Sequence, residues 1–136
     1  MTMSEDHGSG VLDTRAFIDL AALDPAGLPT YPEITSVTMA ELHQGVAMAK
    51  DPVARAARTE KLQAAAVDFV PLPFDGEAAT RHGSLVALTI AAERSPKPRR
   101  MDLMIAAVAS IRGLPLYTRN ADDFKGLDSA LEIIEV

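Results

Sequence analysis

The sequence predicts an α/β protein: a parallel sheet of about four to five strands flanked by helices in a three-layer α/β/α arrangement. Three observations carry this reading. Short β-rich runs recur near positions 10–13, 34–37, 69–72, 116–118 and 131–134. Helical patterns separate most of them, and strands that alternate with helices pair in parallel. Length and composition agree, since 136 residues with 48% apolar content suit one domain with one substantial core.

Residues 1–9 read as a disordered leader and 10–136 as a single domain. Gly10-Val11-Leu12-Asp13 is a short apolar run ending in an acid, as in a buried strand whose last residue emerges at the sheet edge. Ala16 to Leu23 has a helical pattern that stops at Asp24-Pro25. Three prolines and one glycine mark 24–33 as a loop. Ile34-Thr35-Ser36-Val37 is β-rich, and Ser36 or Thr38 is placed to cap a helix reaching about Lys50. Asp51 with Pro52 opens another helix, which runs to about Ala66.

Phe69 to Leu72 reads as a strand ended by Pro73. Asp75 caps a long helix that reaches about Arg94, and Ser95-Pro96-Lys97-Pro98 breaks the chain. Met101 to Arg112 is a strongly apolar helix stopped by Gly113. Leu116-Tyr117-Thr118 and Leu131 to Ile134 complete the strands.

Charge and composition narrow the function. Thirteen Lys and Arg against 19 Asp and Glu give a net charge of −6, which argues against a broad positive surface for nucleic acid. It leaves open a nuclease that gathers cations in an acidic pocket, because a bound ion reverses the local field. With no cysteine, disulfides and thiolate metal sites are excluded. The N-terminal stretch has no signal-peptide apolar core, and no apolar run approaches the roughly 20 residues that span a bilayer. The expectation is a cytoplasmic protein with no membrane partner.

The acids are placed where open parallel sheets build sites, beyond the carboxyl ends of the strands. Asp13 follows the first strand, and Asn120, Asp122 and Asp123 follow Thr118. Glu41 and Asp102 fall in the first turns of helices whose other faces are mostly apolar. The helix dipole alone accounts for acids such as Asp51, Asp75 and Asp102. It does not account for an acid at a buried strand end together with acids on apolar helical faces. Such carboxylates are costly unless paired or bound to a cation. Hard cations such as Mg²⁺ or Mn²⁺ take oxygen ligands of this kind, and the chemistry they support here is phosphodiester hydrolysis.

Taken together, VLDTRAFIDL at 11–20, SVTMAELHQG at 36–45, MDLMIAAVASIRGLPLYTRNADDF at 101–124 and the closing apolar strand near 131–136 resemble the PIN-domain nucleases. Within these they are most similar to the VapC toxins of bacterial toxin–antitoxin pairs. The shared features are Asp13-Thr14, Glu41-Leu42 with Gly45, Asp102 before Ile105-Ala106-Ala107, and Thr118, Asn120, Asp123 with Phe124. The resemblance implies a PIN-like sheet and Mg²⁺- or Mn²⁺-dependent endoribonuclease activity. It implies catalysis by Asp13, Glu41, Asp102 and Asp123, with Asn120 as a further metal ligand. It also implies a homodimer and a cognate antitoxin that blocks the site.

Two positions depart from the pattern. Arg15 stands where serine or asparagine is common, and Asn120 stands where many relatives have an acid. A catalytically weak PIN-like interaction module therefore stays open beside the enzyme. Arg99, Arg100, Arg119 and Thr118 are candidates for contact with RNA, and an exposed charged loop is the alternative for the arginines. His43, on the helix that carries Glu41, is a candidate donor to a phosphate, with a solvated helical histidine the favoured reading, and His7 and His82 lack metal-like neighbours in sequence. Phosphatases with a nucleophilic aspartate need a second acid two residues on, where Arg15 lies. A receiver domain needs a late lysine, and Lys125 is too far past the strand end.

Overall fold

The computed structural model describes residues 8–136. Of the expected leader, residues 1–7 lie outside the described residues, while Ser9 already belongs to the first strand. The strands are β1 (Ser9–Leu12), β2 (Tyr31–Glu33), β3 (Leu116–Thr118) and β4 (Ile133–Glu135). The helices are α1 (Thr14–Ile18), α2 (Ser36–Ala47), α3 (Pro52–Asp68), α4 (Gly76–Ala91) and α5 (Arg100–Ile111). The sheet runs β2-β1-β3-β4 and every pairing is parallel.

Register explains the three layers. Val11, Leu116 and Ile133 are aligned across the sheet, as are Leu12, Tyr117 and Ile134. Side chains alternate faces along a strand. Accordingly Val11 and Leu116 enter one core with Leu85 of α4 and Leu103, Ile105 and Ala106 of α5. Leu12 and Tyr117 enter the other, with Phe17 of α1, Leu42 of α2 and Ala65 of α3. The two central strands are thus buried on both sides, which is why their runs read as continuously apolar.

Two strand expectations are corrected. Phe69 to Leu72 forms no strand; its only ladder contact among the described residues is the bridge between Thr35 and Leu72. The second strand instead lies at Tyr31–Glu33, inside the segment expected to be loop. Pro32 obscured it, yet an edge strand tolerates proline because one side of its backbone needs no partner. Ile34 is fully buried in the second core. The β-rich signal at 34–37 is cut short because Thr35, rather than the expected Ser36 or Thr38, caps α2, its hydroxyl accepting from Thr38 N at 3.2 Å. Asp51 and Asp75 cap α3 and α4 as their positions imply.

Two glycines are required by geometry. Gly113 follows α5 with φ +66°, the left-handed conformation that ends helices. At Gly10 an added Cβ would overlap the Tyr117 ring, so only glycine lets β1 pass that ring.

Candidate active site

The site is assembled at the carboxyl edge of the sheet from four separate elements. Asp13 follows β1 immediately and serves as the N-cap of α1, accepting from Ala16 N at 2.8 Å. It is 5% exposed. Its carboxylate also accepts a hydrogen bond from the hydroxyl of Thr118 at the end of β3. Burial pushes the Asp13 carboxyl above its ordinary pKa, the nearby Asp123 charge adds to this, and the two hydrogen bonds and Arg15 oppose it.

Asp102, in the first turn of α5, is raised from 3.8 to about 6. Desolvation is the largest cause, followed by the charges of Asp13, Glu41 and Asp123, with Arg99 opposing. Four carboxylates from distant parts of the chain therefore act on one another. Asp122 does not join them. It turns outward to Arg94 at 2.9 Å, whose guanidinium holds it below the ordinary carboxylate range.

Hydroxyl groups position the acids. Thr14 donates to Glu41 Oε1 at 2.6 Å and its oxygen lies 3.0 Å from the hydroxyl of fully buried Thr38. Thr38 and Glu41 are three apart on α2 and so share a face. Thr118 is 1% exposed, with its oxygen accepting from Asn120 N at 3.0 Å. It thus ties Asp13 to the start of the segment that carries Asp123. Sequence reasoning assigned no role to the Thr14–Thr38 pair; the signal was a hydroxyl one residue after Asp13 and another three before Glu41.

Asp123 accepts from Asn120 Nδ2 at 3.1 Å, and Arg99 Nε lies 3.8 Å from its other oxygen. In this orientation Asn120 faces Asp123 as a donor, and ligating a cation through its carbonyl oxygen requires the amide to turn over. Arg99 Nε is buried without a hydrogen-bond acceptor. Arg99 is half-buried and Arg100 exposed, and Arg119 pairs with Asp19 at 3.1 Å. Arg15 also turns from the acids toward Asp19, at 3.7 Å, with its side chain 66% exposed. His43 is exposed and His82 packs edge-on against Phe74, while His7 lies outside the described residues.

The donor chemistry fits a hard divalent cation: oxygen ligands, partly desolvated, mutually repelling, with Arg99 the main positive charge among them. Among the described residues, however, no three acidic or histidine side chains stand arranged to hold an ion. Binding one requires the carboxylates to change rotamer, as repelling acids in the metal-free state would on gaining a cation.

No protein-family model matches the chain. It is 42% identical to ribonuclease VapC5 of Mycobacterium tuberculosis over 98% of this chain and 100% of that protein. Its structure superimposes on the crystal structure of VapBC-5 from Mycobacterium tuberculosis, a member of the VapBC family of toxin–antitoxin systems, with a TM-score of 0.83. That match has 43% identity and covers 95% of this chain and 99% of the other. VapBC2 from Rickettsia felis, solved bound to a DNA fragment from its promoter, shares the fold. There the TM-score is 0.75 at 20% identity, over 94% of this chain and 98% of the other. With near-complete coverage at 42% identity, and the same three-layer sheet, the chain belongs to the VapC family of PIN-domain toxins.

Proposed function

We propose that this protein is an endoribonuclease that depends on a divalent cation, Mg²⁺ or Mn²⁺, and acts as the toxin of a toxin–antitoxin pair. The observation that carries the reading is the raised Asp102 carboxyl, to about 6, under the joint influence of Asp13, Glu41 and Asp123. A fold has little reason to collect four acids at a sheet edge unless a cation relieves them.

Asp13, Asp102, Glu41 and Asp123 are the residues that would hold the ion, with Asn120 a further oxygen donor if its amide turns. A bound Mg²⁺ or Mn²⁺ supplies Lewis-acid stabilisation of charge on a phosphate and lowers the pKa of water. The protein's own contributions are positional. The cap bond from Ala16 and the Thr118 hydroxyl fix Asp13, and the Thr14–Thr38 pair fixes Glu41. Arg99, beside Asp123 with its Nε unpartnered, would meet a phosphate oxygen, and the exposed Arg100 would meet the strand beyond it.

The partners that follow are RNA as substrate and a cognate antitoxin, since the VapBC structures are toxin–antitoxin systems. A cytoplasmic homodimer belongs to the same proposal. The alternative, a catalytically weak interaction module, draws support from the donor orientation of Asn120 and from the absence of a preformed ion cage among the described residues. One experiment separates the two. Purified protein is incubated with single-stranded RNA and Mg²⁺ or Mn²⁺, with and without excess chelator. Internal cleavage that stops on chelation is expected; no cleavage in either metal, with soluble folded protein, favours the module.

A further inference from the structure

Beside Glu41, α1, α2 and α3 enclose a groove of about 540 Å³. Ile18, Leu42 and Ala57 give it an apolar floor, and Arg15, Arg58 and Lys61 give it a basic edge. Three cations around one groove are a concentration of positive charge on a chain whose net charge is −6. Of the other cations, Arg94 is paired with Asp122 and Arg119 with Asp19, and Asp19 also stands 3.7 Å from Arg15 of the groove itself. Among the described residues, by contrast, neither Arg58 nor Lys61 has a carboxylate within ion-pair distance. Arg58 is also held in place, its Nη1 donating to the Gly45 carbonyl at 2.6 Å, one helical turn beyond Glu41.

We infer that this groove is the track along which the RNA strand leaves the acid cluster, with Arg58 and Lys61 binding the backbone phosphates that flank the scissile bond and Arg15 as a third contact. The inference rests on the nuclease reading above and adds to it the path of the substrate. A strand whose phosphate sits at the acid cluster must cross one flank of it, and this flank joins uncompensated positive charge to an open groove that Glu41 itself lines. The apolar floor accepts the sugar and base faces. Arg15, anomalous as a neighbour of a metal ligand, has a role here because its side chain turns from the cluster and lines the groove. Arg58 and Lys61 are positioning residues for substrate and touch no reacting atom.

The test uses the full chain carrying Arg58→Gln with Lys61→Gln, both on α3. Arg112→Gln, at the far end of α5 from Asp102, is the charge-loss control. Binding of a short fluorescein-labelled single-stranded RNA is followed by anisotropy at several salt concentrations, in an Asp102→Asn background that prevents cleavage. The double variant should bind about tenfold more weakly, and its slope of log K against log salt should be shallower by about 1.4, or about 0.7 for each lost phosphate contact. In the cleaving background the loss should fall in KM, with kcat largely kept, and Arg58→Lys should keep the slope of the unaltered protein. Unchanged affinity and slope, while the otherwise unaltered protein cuts RNA, overturns the groove and leaves the nuclease reading intact. Unchanged RNA binding together with weaker binding of a cognate antitoxin overturns it too, and assigns the groove to a protein. If the unaltered protein neither binds nor cuts RNA, both readings fall together.

Discussion

The hydroxyl of Thr14 donates to the Glu41 carboxylate at 2.6 Å, joining the first residue of α1 to the middle of α2 across 27 positions of sequence. The Thr38 hydroxyl, 3.0 Å from that of Thr14, completes a short chain that aims Glu41 at the acid cluster. A glutamate has enough rotamer freedom that an unaided side chain spends little time in one orientation. Thr14→Val should therefore lower kcat by about tenfold, with a stability loss near 1 kcal/mol for the missing hydrogen bond. Thr14→Ser should restore activity. A Val variant with unchanged kcat would remove Glu41 from the catalytic set.

Asp13 and Asp102 should differ when neutralised, although both substitutions should abolish cleavage. Asp102 makes no cap bond and suffers both desolvation and three like charges, so Asp102→Asn should raise the metal-free melting temperature. Asp13 is strained by burial but also caps α1, so Asp13→Asn should leave the melting temperature nearly level. Asp13→Ala loses the cap, costing about 1 kcal/mol, or a few degrees for a chain of this size. Thermal melts in chelator check all three, and a fall for Asp102→Asn would mean that its carboxylate is structural.

The pH dependence has a definite sign. The folded-state pKa of Asp102 is raised from 3.8 to about 6, so the native state binds this proton more tightly than the unfolded chain does. Metal-free stability is then greatest below about pH 4 with respect to this group, and it declines as pH rises through 6. Metal binding should run the other way, because the cation competes with the proton. Affinity for Mn²⁺, measured by calorimetry, should rise up to about tenfold per pH unit below about pH 6 and level off above it. A flat profile between about pH 5 and 7 would exclude Asp102 as a ligand.

Gly10 should tolerate no side chain. A methyl group there meets the Tyr117 ring, which is 1% exposed and locked in the second core. Gly10→Ala should cost about 2 kcal/mol, the usual scale of overpacking. Denaturant unfolding would show it, and pairing with Tyr117→Leu should recover part of the loss.

Sequence alone determined the fold class and two of the helix caps, and it singled out the acids that the structure brings together, while the α2 cap fell at Thr35 rather than at Ser36 or Thr38. Caps at Asp51 and Asp75 and the stop at Gly113 are local chemistry, written in the residue and its immediate neighbours. Asp13, Glu41, Asp102 and Asp123 were legible because acids at strand ends and on apolar helical faces contradict the local hydrophobic pattern. The strand at Tyr31–Glu33 was not legible, since Pro32 reads as loop and only its place at the sheet edge makes it acceptable. The expected strand at 69–72 failed for the converse reason: its apolar residues had no open sheet edge to join beyond the single bridge at Leu72.

Tertiary structure decided the direction of each side chain, and with it the division of labour among the charges. Sequence placed Asp122 beside Asp123, Arg99 beside Arg100 and Arg15 beside the first acid, and only the family resemblance preferred Asp123 to Asp122. Folding sent Asp122 out to Arg94, turned Arg15 to Asp19, and kept Asp123 with Arg99 at the cluster. It also brought Thr14 to Glu41 and Arg58 to Gly45, contacts between elements that no local pattern encodes. The physical reason is that residue type and periodicity fix which face of an element is buried. Which charge meets which depends on the approach of elements distant in the chain, and a pattern along the sequence carries no record of that.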